Sequence, residues 1–109
     1  MLLHDLAFTA SQEPALAAIG GRNSVLACAE QSRAAIIAAL SARSPESTLV
    51  VAAPTGTAAQ QLHDDIVQFL GADAALMFPA WETLPFERVS PSVETMGRRL
   101  EVLWRLRSE

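Results

Sequence analysis

The sequence predicts an α/β domain built in three layers, a parallel sheet with helices on both faces. Three observations carry that expectation. Short continuous apolar runs alternate with longer stretches of helical periodicity, the order of strands joined by helical crossovers. Glycine, proline and hydroxyl-bearing residues fall at the junctions. The chain has 109 residues, half of them hydrophobic, which suits one core or part of one. Crossovers are expected to be right-handed, and periodicity leaves the strand order open.

Taken in order, residues 12–19 read as a short helix ended by Gly20 and Gly21. Residues 24–28 (SVLAC) form an apolar run and a candidate buried strand. Residues 31–43 follow as a helix whose centre, AAIIAAL, is apolar on every side and calls for burial all round. Ser44 and Pro45 break it. Residues 48–52 (TLVVA) are the clearest strand, continuous and β-branched. Pro54 to Thr57 make a turn in which Thr55 or Thr57 caps the next helix. That helix reaches Leu70. Its stripe of Ala58, Ala59, Leu62, Ile66, Phe69 and Leu70 opposes Gln61, His63, Asp64, Asp65 and Gln68, and Gly71 ends it. Residues 74–78 (AALMF) are a third strand. A loop with three prolines follows, from Pro79 to Pro91. Residues 93–107 form the last helix, with Val93, Met96, Leu100, Leu103 and Trp104 on one side.

Composition excludes several chemistries. All eight basic residues are arginine, so no lysine is present for a Schiff base or a phosphate loop. A net charge of −4 makes a poor stand-alone DNA binder. That charge sits in residues 1–80, with three arginines against seven acids; residues 81–109 balance five against five. One cysteine, Cys28, excludes an internal disulfide and a cysteine-rich zinc site. No apolar run is long enough to span a membrane. Residues 1–8 carry Asp5 and no basic segment, so no signal peptide is expected, and a cytoplasmic location follows.

In a parallel sheet ligands sit at the carboxyl ends of strands, and three such ends are expected. At the first, Glu30, Gln31, Ser32, Arg33 and Ala34 stand where a phosphate loop would lie. The glycines, the lysine and the magnesium-binding hydroxyl are missing, and Glu30 adds negative charge. This reads as a structural relic, against weak anion binding at the helix start. Cys28 there reads as a small buried hydrophobe. At the second end, Thr55, Gly56 and Thr57 either hold a phosphate of ATP or DNA or are an ordinary capped turn. At the third, Trp81, Leu84 and Phe86 lie among prolines and either pin the loop to the domain or meet a partner. Glu82 and Glu87 are a conceivable catalytic pair, but salt bridges or caps suit them better. No catalytic residue and no metal site is expected. His4 and His63 stand alone, His63 on a polar face. Arg98, Arg99, Arg105 and Arg107 alternate with Glu94, Glu101 and Glu109, which favours a self-paired surface over a phosphate site.

FPAWETLPFERVSPSVETMGRRLEVLWRL, residues 78–106, closely resembles the amino-terminal region of the bacterial transcription-repair coupling factors (Mfd). Their signature is matched by Trp81, Glu82, Thr83, Leu84 and Pro85, then Ser90 and Pro91, then Arg99 and Leu100. TLVVAAPTGTAAQQL resembles a segment these factors share with the excision-repair helicase subunit UvrB, which has an intact phosphate loop where this chain has residues 27–34. The resemblance implies a partial UvrB-like domain over residues 1–109, of the RecA/UvrB-like P-loop NTPase type, with a degenerate loop and truncated after its fourth or fifth helix. It implies the non-catalytic start of an ATP-dependent DNA translocase that displaces RNA polymerase stalled at lesions and recruits nucleotide excision repair. ATP and magnesium then belong to motor domains elsewhere in that protein, and this segment binds neither. Its partners are the other domains of the parent; UvrA, RNA polymerase and DNA are met through parts outside this segment. Two other readings stay open: a nucleotide- or DNA-binding helicase subdomain closer to UvrB, and a free-standing interaction domain that uses the loop from Trp81 to Phe86.

Overall fold

A computed structural model describes residues 2–19 and 23–108. Its regular elements are α1 (Leu3–Ser11), α2 (Pro14–Ala17), a 3₁₀ turn (Glu30–Ser32), α3 (Arg33–Arg43), α4 (Gly56–Leu70) and α5 (Val93–Ser108).

The first helix starts where Asp5 accepts the Leu2 backbone N–H at 3.0 Å, one half of a capping box. It ends at Ser11, whose carbonyl accepts from the Arg43 guanidinium at 2.9 Å. The last turn of α3 thus supplies a donor that the end of α1 lacks. Pro14 opens α2, where its missing N–H costs nothing. The core lies where α1, α3 and α4 pack on one another. It is made mostly of small side chains: Ala7 of α1, Ala34, Ala38 and Ala39 of α3, with Leu16 and Ile66 at its margins. Residues 34 and 38 are one turn apart, so alanine at both gives α3 a flat face that another helix can approach closely. The 15-residue α4 carries the amphipathic stripe expected of it, with Ile66 buried and Asp64, Asp65 and Gln68 exposed. Gly71 closes α4 at φ +95°, a backbone state that side chains disfavour.

This all-helical arrangement overturns the expected three-layer parallel sheet, and with it the P-loop NTPase type of fold. Among the described residues there is no strand. Residues 24–28, 48–52 and 74–78 are irregular, and Val25 and Val50 are exposed. An apolar β-branched run makes a strand only when a neighbour takes up its backbone N–H and C=O groups. Propensity without that neighbour decides little. Here the apolar faces of α3 and α4 are met by α1, a helix not expected from the sequence, so no sheet stands between them. Two smaller corrections follow. The helix expected over 12–19 is split: α1 ends at Ser11 and α2 covers only Pro14–Ala17, while Gly20 and Gly21 lie outside the described residues. The apolar side expected for α5 is exposed at Val93, Leu100, Leu103 and Trp104.

Candidate functional site

The candidate site is the proline-containing loop over 79–92 together with the α5 face it lies against. Thr95 and Arg99 are four residues apart on α5 and share that face. The guanidinium carbon of Arg99 sits 4.0 Å from the centroid of the Phe78 ring and 4.3 Å from that of Trp81. Arg99 also donates to the Pro79 carbonyl. A planar cation with ring faces on it and a carbonyl at its edge is a strong local anchor, and lysine has no equivalent geometry.

Glu82, next to Trp81, makes the second anchor. Its carboxylate accepts from the Thr95 hydroxyl at 2.7 Å, the Ser92 backbone N–H at 3.1 Å and the Ser92 hydroxyl at 3.2 Å. Ser92 in turn accepts the Thr95 backbone N–H at 3.1 Å, the bond of an N-cap. These donors, the Thr95 hydroxyl first, hold the Glu82 carboxyl below its ordinary range. Thr95 is buried. Glu87 closes the loop's outer turn: it accepts the Leu84 N–H at 3.2 Å and its own N–H donates to the Leu84 carbonyl at 3.0 Å. Glu82 and Glu87 are therefore engaged as caps rather than facing each other across a cleft.

Beyond these anchors the loop is open. Leu84, Phe86 and Val89 are 54%, 81% and 65% exposed, so the loop is pinned at its base and apolar at its tip. Thr83 and Pro91 are half-buried, and Pro85, Ser90 and Leu100 are exposed.

The other two stretches singled out from the sequence stay apart from this cluster. Glu30, Gln31 and Ser32 form the 3₁₀ turn, and Arg33 and Ala34 begin α3. Arg33 lies 3.9 Å from the Glu30 carboxylate, both exposed, and Ala34 is buried. The segment joins coil to helix, and no strand leads into it. Thr55 caps α4 by accepting the Ala58 N–H at 3.1 Å, and Gly56 and Thr57 are the helix's first residues.

Three placements differ from expectation. Cys28 is exposed, not buried, because no sheet covers its segment. His63 is partly buried: its Nε2–H donates to the Ala75 carbonyl at 3.1 Å, and Nδ1 lies 3.2 Å from Asp64. Bonds from His63 and Gln60 lower the Asp64 carboxyl pKa. His4 lies 2.9 Å from Asp5. On α5, Arg98 pairs with Glu94 at 2.8 Å and Arg105 approaches Glu101 at 3.9 Å, a self-paired surface. Among the described residues no cluster of three or more His, Cys, Asp or Glu is placed to hold a metal ion. No helix among them is long and apolar enough to cross a membrane. Phe78, Ser92 and Thr95 are the site residues that sequence reasoning missed. For Ser92 a signal existed, a serine just before the start of a periodic helical stretch, which is an N-cap pattern.

Comparison with known proteins bears out the resemblance. The chain is 40% identical over 87 residues to the transcription-repair-coupling factor of Mycobacterium bovis. The factor of Mycobacterium tuberculosis gives the same 40% over 87 residues. The aligned stretch is 80% of this chain and 7% of each factor. The chain thus corresponds to a region of the transcription-repair coupling factor and spans a small part of that protein's length. No family model matches the chain. No solved structure matches it.

Proposed function

We propose that the chain serves as a non-catalytic segment of a transcription-repair coupling factor. The parent would be an ATP-dependent DNA translocase that displaces RNA polymerase stalled at lesions and recruits nucleotide excision repair. The observation that carries this reading is the 40% identity over 80% of the chain. The residues add support. The chain has no lysine, and its Arg33 lies 3.9 Å from the Glu30 carboxylate, which works against anion binding there. The Thr55 hydroxyl is taken up by its own helix, which favours a structural turn over a phosphate contact. ATP and magnesium belong to the parent's motor, and UvrA and RNA polymerase to its other parts. This segment's partners are then the neighbouring domains, and large exposed apolar side chains such as Phe86 and Val50 are what such neighbours would cover.

Two measurements test this. The genomic reading frame around these codons should run on into a chain of coupling-factor length that carries a Gly-Lys-Thr or Gly-Lys-Ser nucleotide loop. A frame limited to this segment refutes the reading. Separately, calorimetric titration of the purified chain with magnesium-ATP should show no binding and no phosphate release. Tight binding with turnover would make it a nucleotide-hydrolysing domain instead.

A further inference from the structure

We propose that residues 79–92 form a strap in which the ring clasp on Arg99 and the Glu82 bonds to Ser92 and Thr95 open together, so that whatever moves the strap's apolar tip also releases the Ser92 N–H and the Thr95 hydroxyl at the start of α5. The two anchors are made by adjacent residues. Trp81 lies on Arg99, and Glu82 holds the residues that start the same helix. Lifting Trp81 off the guanidinium drags the next residue's carboxylate with it, and hydrogen bonds of 2.7–3.2 Å do not survive displacements of an ångström. Thr95 is 6% exposed, so once Glu82 leaves its hydroxyl has the Ser92 hydroxyl, 2.9 Å away, and little water to turn to. At the other end, the reciprocal Leu84–Glu87 bonds make the tip a closed turn that moves as one piece. The exposed Leu84 and Phe86 on that turn give a ligand or a neighbouring domain something to grip. The strap stands on this geometry whether or not the chain serves a coupling factor.

Amide exchange measured by NMR on the whole chain tests the link. Arg99→Ala removes no bond to Ser92 or Thr95, and alanine favours helix, so independent anchors predict unchanged or slower exchange at their amides. The strap predicts exchange at Ser92, whose N–H is held by Glu82, faster by about fivefold, the order that one lost hydrogen bond gives, with Thr95, whose N–H is held by the Ser92 hydroxyl, and Ala38 and Ile66 unaffected. Trp81→Leu, which leaves α5 itself unaltered, should give the same pattern. Unchanged Ser92 exchange in both variants overturns the proposal. So does a uniform rise that includes Ala38 and Ile66, because the loop would then be part of the common core and not a separable strap.

Discussion

Arg99→Ala, combined with Trp81→Leu in a double-mutant cycle, measures how firmly the signature loop is held. The structure sets the size of the effect. Arg99 touches the Phe78 and Trp81 rings at 4.0 and 4.3 Å and bonds the Pro79 carbonyl. Each ring contact at a half-exposed site contributes about 0.5–1 kcal/mol. A charged donor on a carbonyl adds about 1 kcal/mol net, and alanine's better helix propensity returns a few tenths. Arg99→Ala should therefore destabilise the chain by about 2 kcal/mol. Trp81→Leu removes only one ring, so the coupling between the two changes should be about 0.5–1 kcal/mol. Equilibrium urea unfolding at low protein concentration, followed by far-ultraviolet circular dichroism, reads both quantities. Trp104 remains in every variant as a second probe. Additive changes, with no coupling, would mean that Trp81 and Arg99 are neighbours without being partners. Trp81 would then be free to serve another molecule, and the interaction-domain reading would gain.

Two further outcomes follow from single residues. Gly71→Ala should cost about 1–2 kcal/mol in the same unfolding assay: a Cβ there meets nothing within 4 Å, so the whole penalty is the φ of +95°, and a neutral result would show that the turn relaxes. The Glu82 carboxyl is held below its ordinary pKa when folded, so its contribution is complete above the ordinary glutamate range and is lost as pH falls through the depressed value. Stability should decline on acidification in that window. Glu82→Gln should flatten the decline without abolishing it, since Asp64 is depressed too and acts with the same sign; an unchanged slope would refute the cap.

What the sequence revealed and what it hid divide along a physical line. The helices α3, α4 and α5 were legible because their signals are local: Thr55 before α4, Gly71 after it, Ser44 and Pro45 after α3. The sheet was not, because strand formation depends on a partner far away in sequence, and TLVVA reads the same with or without one. The missed α1 explains the rest. Residues 1–8 read only as a stretch without a targeting signal, yet α1 supplies Ala7 to the core and a surface for α3 and α4. At the candidate site, the signature residues were read as a string. Their geometry shows why Trp81, Glu82 and Arg99 go together: Trp81 lies on Arg99, and Glu82 holds the start of the same helix. The arginine's spacing of 18 positions from the tryptophan gave no hint of it.

The composition of the core leads to a last prediction. Among the described residues, four of the six buried hydrophobic ones are alanines, while Phe8, Phe86, Val93 and Trp104 are exposed. Alanine burial removes little apolar area from water, so the driving force is small for a chain of this hydrophobicity. The radius of gyration agrees: it is 15.8 Å, against roughly 13 Å for a compact domain of this size. A chain with that much uncovered apolar surface should bind the dye ANS strongly and self-associate as its concentration rises. Dye titration and sedimentation velocity over a concentration series read both. The same surface accounts for the direction of the effect in a longer protein, where a neighbouring domain that covers Phe86 and Trp104 should suppress dye binding. A purified chain that stays monomeric across the series and leaves the dye dark would show that these side chains are already covered, and that the helices pack more closely in solution than this arrangement allows.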